Sequence, residues 1–487
     1  MSKDEQIAKL QDSNVALQDS NVVLQDSNVA LKHENAMLKK LIFGVRSEKH
    51  TSVTVDANQL NMFAELEIKE DEQELKVSEV KGYNKIRKTH PGRQPLPDHL
   101  PVKEIVIEPE VDTTGMNKVG ELITETLDYT PASLTRIRYI RPKYAKQDGS
   151  GLVIGSMPDR PLPKCIAEAG LLSHIITSKF VDHLPFYRQI ERFKRDYKLP
   201  IPSSTLNDWF AASCSMMEPL YNKLKEKVLD THYLQADESP IKVMDNNKVG
   251  KTHQGYQWVY HNPLAKLILF DYRKGRGMHG PKELLSGYTG MLQCDGYRVY
   301  DKIARKGNMK LAACLAHVRR KYVIAKDSDK TLATYALDLF SEIYKHEKIA
   351  KLSEDRKIYR KEHMLPIMKH LRQWIDEESI TVLPKSPIGK AMAYTINQWG
   401  KLMNIFTSSE IELDNNLIEN KIRPLALGRK NYLFAGSHKG AQRIAIMYSF
   451  FASCKANDVN PYQWLKSTLE KLPNHSIQNL DQLLPGA

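Results

Sequence analysis

The sequence predicts a multidomain α+β chain: a mixed five-stranded sheet with helices and a helical insertion, preceded by a coiled coil and a small helix-turn-helix-containing domain. Three observations predict it. At 487 residues and 41% hydrophobic content the chain exceeds the needs of one compact core. A leucine recurs every seven residues near the start, and five strand-like runs follow residue 231, separated by turn and helix signals.

The formal net charge of +13 and an isoelectric point near 9.2 favour polyanionic partners over acidic small molecules. No stretch approaches the roughly 20 apolar residues of a membrane span, and Met1-Ser2-Lys3-Asp4-Glu5 leads into polar repeats rather than a signal-peptide core, so a membrane partner is not expected. Cys165, Cys214, Cys294, Cys314 and Cys454 are scattered and form no Cys-x-x-Cys pair. They fit a reducing cytoplasm better than a disulfide framework or a four-cysteine zinc site.

Residues 1–50 carry the heptads. With Leu10, Leu17, Leu24, Leu31 and Leu38 at d, the a positions fall on Asn14, Asn21, Asn28 and Asn35. Asparagine at a fixes register and a two-stranded state at a cost in stability, so a short parallel coiled coil and a homodimer or higher oligomer are expected. Residues 51–90 are acidic through Glu65 to Glu74 and basic from Lys81 to Lys88, the pattern of a linker.

Pro91-Gly92 opens a small β-rich domain over 91–160. Within it Arg136, Arg138, Arg141 and Lys143 alternate with Ile and Tyr; a strand would turn Arg136 and Arg138 to one face, along phosphates or as the charged edge that deters strand pairing. Residues 161–228 read as helix, break and helix around Leu199-Pro200-Ile201-Pro202. A second helix capped by Ser203 or Ser204 would offer Ser204, Asn207 and Asp208 to base edges, although a plain helical bundle has the same periodicity.

The core is placed at 229–455. His232–Asp237, Tyr256–Tyr260 and Leu267–Tyr272 form an antiparallel meander; Pro281–Leu285 is a helix, Gly290–Cys294 a fourth strand ending on Asp295-Gly296, and Leu311–Leu315 a fifth. That order matches the RNase H-like fold. Asp237 at the end of the first strand and Asp295 at the end of the fourth meet if those strands are neighbours, where hard oxygen ligands share magnesium. Glu419 joins them from a helix that Asp414 caps. Two metal ions on such acids activate a water or a 3′-hydroxyl for in-line displacement at a phosphodiester.

At these residues the sequence resembles the IS66 family of bacterial insertion-sequence transposases. The matching stretches are Asp182 to Gln189, Gln235-Ala236-Asp237-Glu238-Ser239-Pro240, Gln293 to Tyr297, Cys314 to Lys321, and above all Asp414 through Ser437; the likeness runs from about Arg93 to Pro485. It implies a DDE transposase with Asp237, Asp295 and Glu419 as triad, two Mg2+ (or Mn2+) ions, element-end and target DNA as substrates, and accessory proteins of the element. It also implies a helical insertion, about 327–407, in the 124 residues separating Asp295 from Glu419, and a C-terminal helical tail at 456–487.

Cys314 and His317 resemble a Cys-x-x-His element that supports the site. Lys421, Arg423, Arg429, Lys430, Lys439 and Arg443 would line the groove beside the metals, and Arg319 and Arg320 are further candidate DNA contacts. Family members often carry a zinc ribbon ahead of the core; Ala145 to Gly149 stands in place of its last Cys-x-x-Cys, which argues against structural zinc. A decayed copy acting as a DNA-binding repressor, or an RNase H-like nuclease without strand transfer, are the other readings. The intact triad and the dimerising N-terminus favour a transposase acting in the bacterial cytoplasm at the nucleoid.

Overall fold

The structure is a computed structural model describing residues 134–140, 143–145, 152–154, 159–163, 165–245 and 251–487. The chain divides into two units, residues 71–156 and the rest. The expected coiled coil and linker, most of the 91–160 domain and Arg141 lie outside the described residues, and Lys143 is described by its backbone alone.

In the smaller unit β1 (Lys143–Ala145) pairs antiparallel with β2 (Leu152–Ile154). Residues 134–140 form no strand; Arg136 and Arg138 are exposed together with Ile137 and Ile140. The alternation therefore separates no buried face from a wet one.

Among the described residues of the larger unit, three helices precede the sheet. In α1 (Ala169–Phe180) Leu172, Ile175, Ile176 and Phe180 fall on one buried stripe. α2 (Phe186–Tyr197) buries only Phe186, Gln189 and Phe193. The break before α3 (Ser203–Leu229) is where expected, but Pro202 is its N-cap and neither Ser203 nor Ser204 caps it by a side chain. The fixed φ of proline already sets the helix entry.

Next comes the five-stranded sheet, β3 (Tyr233–Met244), β4 (Thr252–Asn262), β5 (Leu267–Arg273), β6 (Met291–Cys294) and β7 (Lys310–Ala313), in spatial order β5-β4-β3-β6-β7. β3, β4 and β5 are antiparallel neighbours, whereas β6 runs parallel to β3 and to β7. α4 (His279–Leu284) and α5 (Arg298–Ala304) make the two crossings that parallel pairing requires. At the entry to β6, a Cβ on Gly290 would stand 2.6 Å from the His232 carbonyl oxygen, which accepts from Met291 N at 2.7 Å. We expect Gly290→Ala to cost about 1–3 kcal/mol in urea unfolding, because the β3–β6 junction must open to admit the methyl.

After β7 the chain is helical: α6 (Leu315–Ala325), α7 (Lys330–Ala350), α8 (Arg356–Tyr359), a π-turn at Arg360–Met364, α9 (Leu365–Glu378) and α10 (Pro387–Leu402). Lys330 to Phe406 is thus mostly helical. α11 (Asn416–Tyr432), α12 (His438–Ala456) and α13 (Pro461–Lys471) follow. Two apolar cores result. One joins α1, α3 and α12 to β4 and β5; the other joins α6, α7, α9 and α10 to β7 and Tyr233. No described helix is long and apolar enough to cross a membrane.

Candidate active site

Side chains two apart on a strand share a face. β3 and β6 are parallel and pair Gln235 with Gln293, so two steps further along each brings Asp237 and Asp295 to the same face. Asp237 is not the end of β3, as the sequence suggests: the strand continues to Met244 because β4 pairs with it as far as Thr252. What stops is β6, whose last partner on β3 is Gln235. Asp237 therefore lies just past the shared ladder, and Pro240 beyond it sits where β3 has lost that neighbour, a place proline tolerates.

Glu419 arrives from the first turn of α11. Asn415, not Asp414, is the N-cap. Asp414 sits one residue earlier; its carboxylate accepts from Asn416 N at 3.0 Å and from the Tyr344 hydroxyl at 3.2 Å. Asn415 is fully buried, its backbone N meeting Cys314 Sγ at 3.1 Å and its Nδ2 donating to the Ala236 carbonyl at 3.2 Å. It thus ties the start of α11 to the residue before Asp237.

Asp237 and Glu419 are 6% and 3% exposed. Asp237 Oδ1 accepts from Glu238 N at 2.8 Å, while Asp237 Oδ2 and Glu419 Oε1 have no hydrogen-bond partner. Burial, then the neighbouring charges of Glu238, Asp295 and Glu419, push the Asp237 carboxyl well above its usual range. Burial pushes Glu419 up to about 7, with Arg320 opposing and Asp414 and Asp295 reinforcing. Among the described residues no three His, Cys, Asp or Glu side chains form a closed ligand set as they stand. The acids nevertheless suit a hard divalent cation, since they repel one another, Asp237 and Glu419 are buried, and each of those two keeps an oxygen without a donor.

His317 Nε2 lies 3.8 Å from Glu419 Oε1, and burial, with Arg320, holds its imidazole down to about 4. Cys314 is 2% exposed, its thiol is pushed upward by burial, and its Sγ accepts from Asn415 N.

A fourth acid, Glu238, was not singled out by the sequence. It is 6% exposed, accepts from Arg276 Nε at 2.7 Å, and is pushed up to about 7 by burial and Asp295 against the pull of Arg276. The Arg276 guanidinium stands 4.4 Å from the Tyr297 ring centre, and Tyr297 N donates to Asp295 Oδ1 at 3.0 Å. A charged residue directly after Asp237, together with a lone arginine in Lys274-Gly275-Arg276-Gly277, was the available signal.

Under the acids runs a buried polar network. Tyr233 donates to Gln293 Oε1 at 2.5 Å, Gln235 Nε2 reaches Gln293 Oε1 at 3.0 Å, His261 pairs with Gln235 Oε1 at 3.0 Å, and Gln293 Nε2 donates to the Glu412 carbonyl at 2.7 Å. Gln293→Leu is expected to cost about 1–3 kcal/mol for each buried partner it strands, measured by chemical denaturation.

The expected cationic groove is only partly assembled. Arg320 acts on both Glu419 and His317. Lys421 instead has Lys455, Asp458 and Lys266 as its charged neighbours, two residues along a helix being on different faces. Arg429 spends Nη1 on the Pro240 carbonyl. Arg319, Arg423 and Arg443 are half-buried, whereas Lys430 and Lys439 are exposed. Ser204 and Asn207 are exposed at the start of α3, and Asn207 Nδ2 turns back to the Ser203 carbonyl at 2.7 Å.

Fold and site together define an α+β protein with buried acids at the point where a parallel strand leaves the centre of a mixed sheet. The chain belongs to the IS66 transposase family: residues 164–443 match the model described as "Transposase IS66 family" and residues 449–485 the "IS66 C-terminal element". Residues 30–105 match "Transposase C of IS166 homeodomain", which overlaps the expected coiled coil and linker. Similar chains from Sinorhizobium fredii include "Uncharacterized protein y4jD", 29% identical with 92% of each chain covered, and "Uncharacterized protein y4qI", 30% identical with 89% of this chain and 84% of the relative covered.

Proposed function

We propose that this protein is the DNA transposase of an insertion sequence, binding the element's ends and carrying out metal-dependent phosphodiester cleavage and strand transfer from an RNase H-like DDE core. The observation that carries the reading is the set of acids from β3, the β6 exit and α11, Asp237 and Glu419 buried with unpartnered oxygens and Asp295 half-buried, with no cation among the described residues acting on Asp237. Asp237, Asp295 and Glu419 would hold two Mg2+ or Mn2+ ions, which when bound stabilise charge on the attacking and leaving oxygens.

The chain's own groups do the rest. Arg320 offsets charge beside Glu419, the neutral His317 adds no positive charge there, and Arg276 keeps Glu238 paired at the rim. Exposed Lys430 and Lys439 offer phosphate contacts, and Ser204 and Asn207 offer polar groups to base edges. The N-terminal heptads would bring two chains, and so two element ends, together.

The test is incubation of the full chain with labelled element-end DNA and a target plasmid, with and without Mg2+. Magnesium-dependent joined product supports the transposase. Cleaved ends never joined would indicate a nuclease, and binding without chemistry, accessory proteins included, a repressor.

A further inference from the structure

Glu412 is held from two sides. Its carboxylate accepts from Arg356 Nη1 at 3.1 Å and Nη2 at 3.0 Å, and from Lys351 Nζ at 2.8 Å, all at the far end of α7 and the start of α8. Its main chain faces the sheet: Glu412 N donates to the Tyr233 hydroxyl at 3.0 Å and its carbonyl accepts from Gln293. The next three residues are each tied down as well. The Leu413 carbonyl accepts from Leu315 N at 3.1 Å, Asp414 from Tyr344 of α7, and Asn415 bridges Cys314 and Ala236. Glu419 follows one helical turn later.

The insertion's grip is itself anchored. Glu347, 4% exposed, receives Arg356 and also the fully buried Arg360, by Nε at 2.8 Å and Nη2 at 2.7 Å. Arg360 then donates to the carbonyl of Ile405 at 3.1 Å, further up the same connection. Such a buried ion cluster is a poor source of stability but a good source of fixed geometry, because its desolvation is repaid only in one arrangement. Arg360 also opens a π-turn, a local irregularity that recurs at functional sites.

We propose that the helical insertion is a positioning device for the third acid: through Arg356 and Glu412 it fixes the 412–415 strap, and the strap sets where Glu419 stands against Asp237 and Asp295. The inference rests on the metal-triad reading above.

The experiment is Mn2+ binding by calorimetry on the full-length protein, alongside metal-free thermal melting, for wild type, Arg356→Gln, Arg356→Lys and Glu412→Gln. Arg356→Gln and Glu412→Gln are expected to weaken Mn2+ binding about 10- to 100-fold, the cost of losing an outer support of a ligand, while melting within a few degrees of wild type. Arg356→Lys, which restores charge but not the paired hydrogen bonds, should fall between. Glu412→Gln keeps the side-chain shape and both main-chain bonds, so it carries the test if Arg356→Gln does not fold. Folded single variants that bind Mn2+ as tightly as wild type overturn the inference and leave the triad standing. A wild type that binds no Mn2+ overturns the triad reading, and the positioning role with it.

Discussion

Asp295→Ala and Glu419→Gln should each eliminate joined product while leaving element-end binding intact. Losing one carboxylate removes charge stabilisation worth several kcal/mol at the transferring phosphate, or about a thousandfold in rate. Stability should move the other way. Asp237, Glu238, Asp295 and Glu419 repel one another in a buried space, and Asp237 Oδ2 and Glu419 Oε1 have no donor. Neutralising Glu419 therefore relieves strain in the metal-free protein, and Glu419→Gln is expected to unfold later than wild type by about 1–3 kcal/mol. Gel assays of joining and urea melts without metal check the two halves. A variant both inactive and destabilised would mean that Glu419 holds the fold together instead.

The stability gap between wild type and Glu419→Gln should also depend on pH. A carboxyl raised to about 7 in the folded state binds its proton more tightly there than in the unfolded chain, so it costs nothing at low pH. Its penalty begins as pH climbs past the ordinary glutamate range and is complete somewhat above 7. The buried His261, held down to about 3, and His317, at about 4, act in the opposite sense, costing stability as pH falls below the usual imidazole value. Subtracting the variant's melt from the wild type's cancels His261. The difference should widen from pH 5 to 8 without metal and close when Mg2+ is present. A gap constant over that range would remove the raised carboxyl from the account.

The sheet was legible because each strand carries an apolar run bounded by turn residues, and because Asp295-Gly296 marks the end of one such run. Asp237 lies on the strand expected for it, but that strand was cut short: Pro240 looks like a terminator until the neighbouring strand is known to have departed. The N-cap of α11 was displaced by one residue, since Asp414 and Asn415 are both good caps and only the buried bond from Asn415 to Ala236 decides between them. Glu238 and Arg276 escaped notice because their pairing joins residues 38 positions apart with no periodic signature. Lys421 and Arg429 were assigned to a groove by their nearness to Glu419 along the chain, and nearness along a helix does not say which way a face turns.

The two apolar cores meet across the sheet, and the acids stand at their seam: Asp237 on a strand that contributes to both, Glu419 on a helix reached only after the second core has been laid down. During synthesis the ribosome completes Asp237 and Asp295 long before it reaches Glu419. A prematurely terminated chain would therefore lack not only the last acid but also α11 and α12, which complete the first core, and with them Lys430 and Lys439.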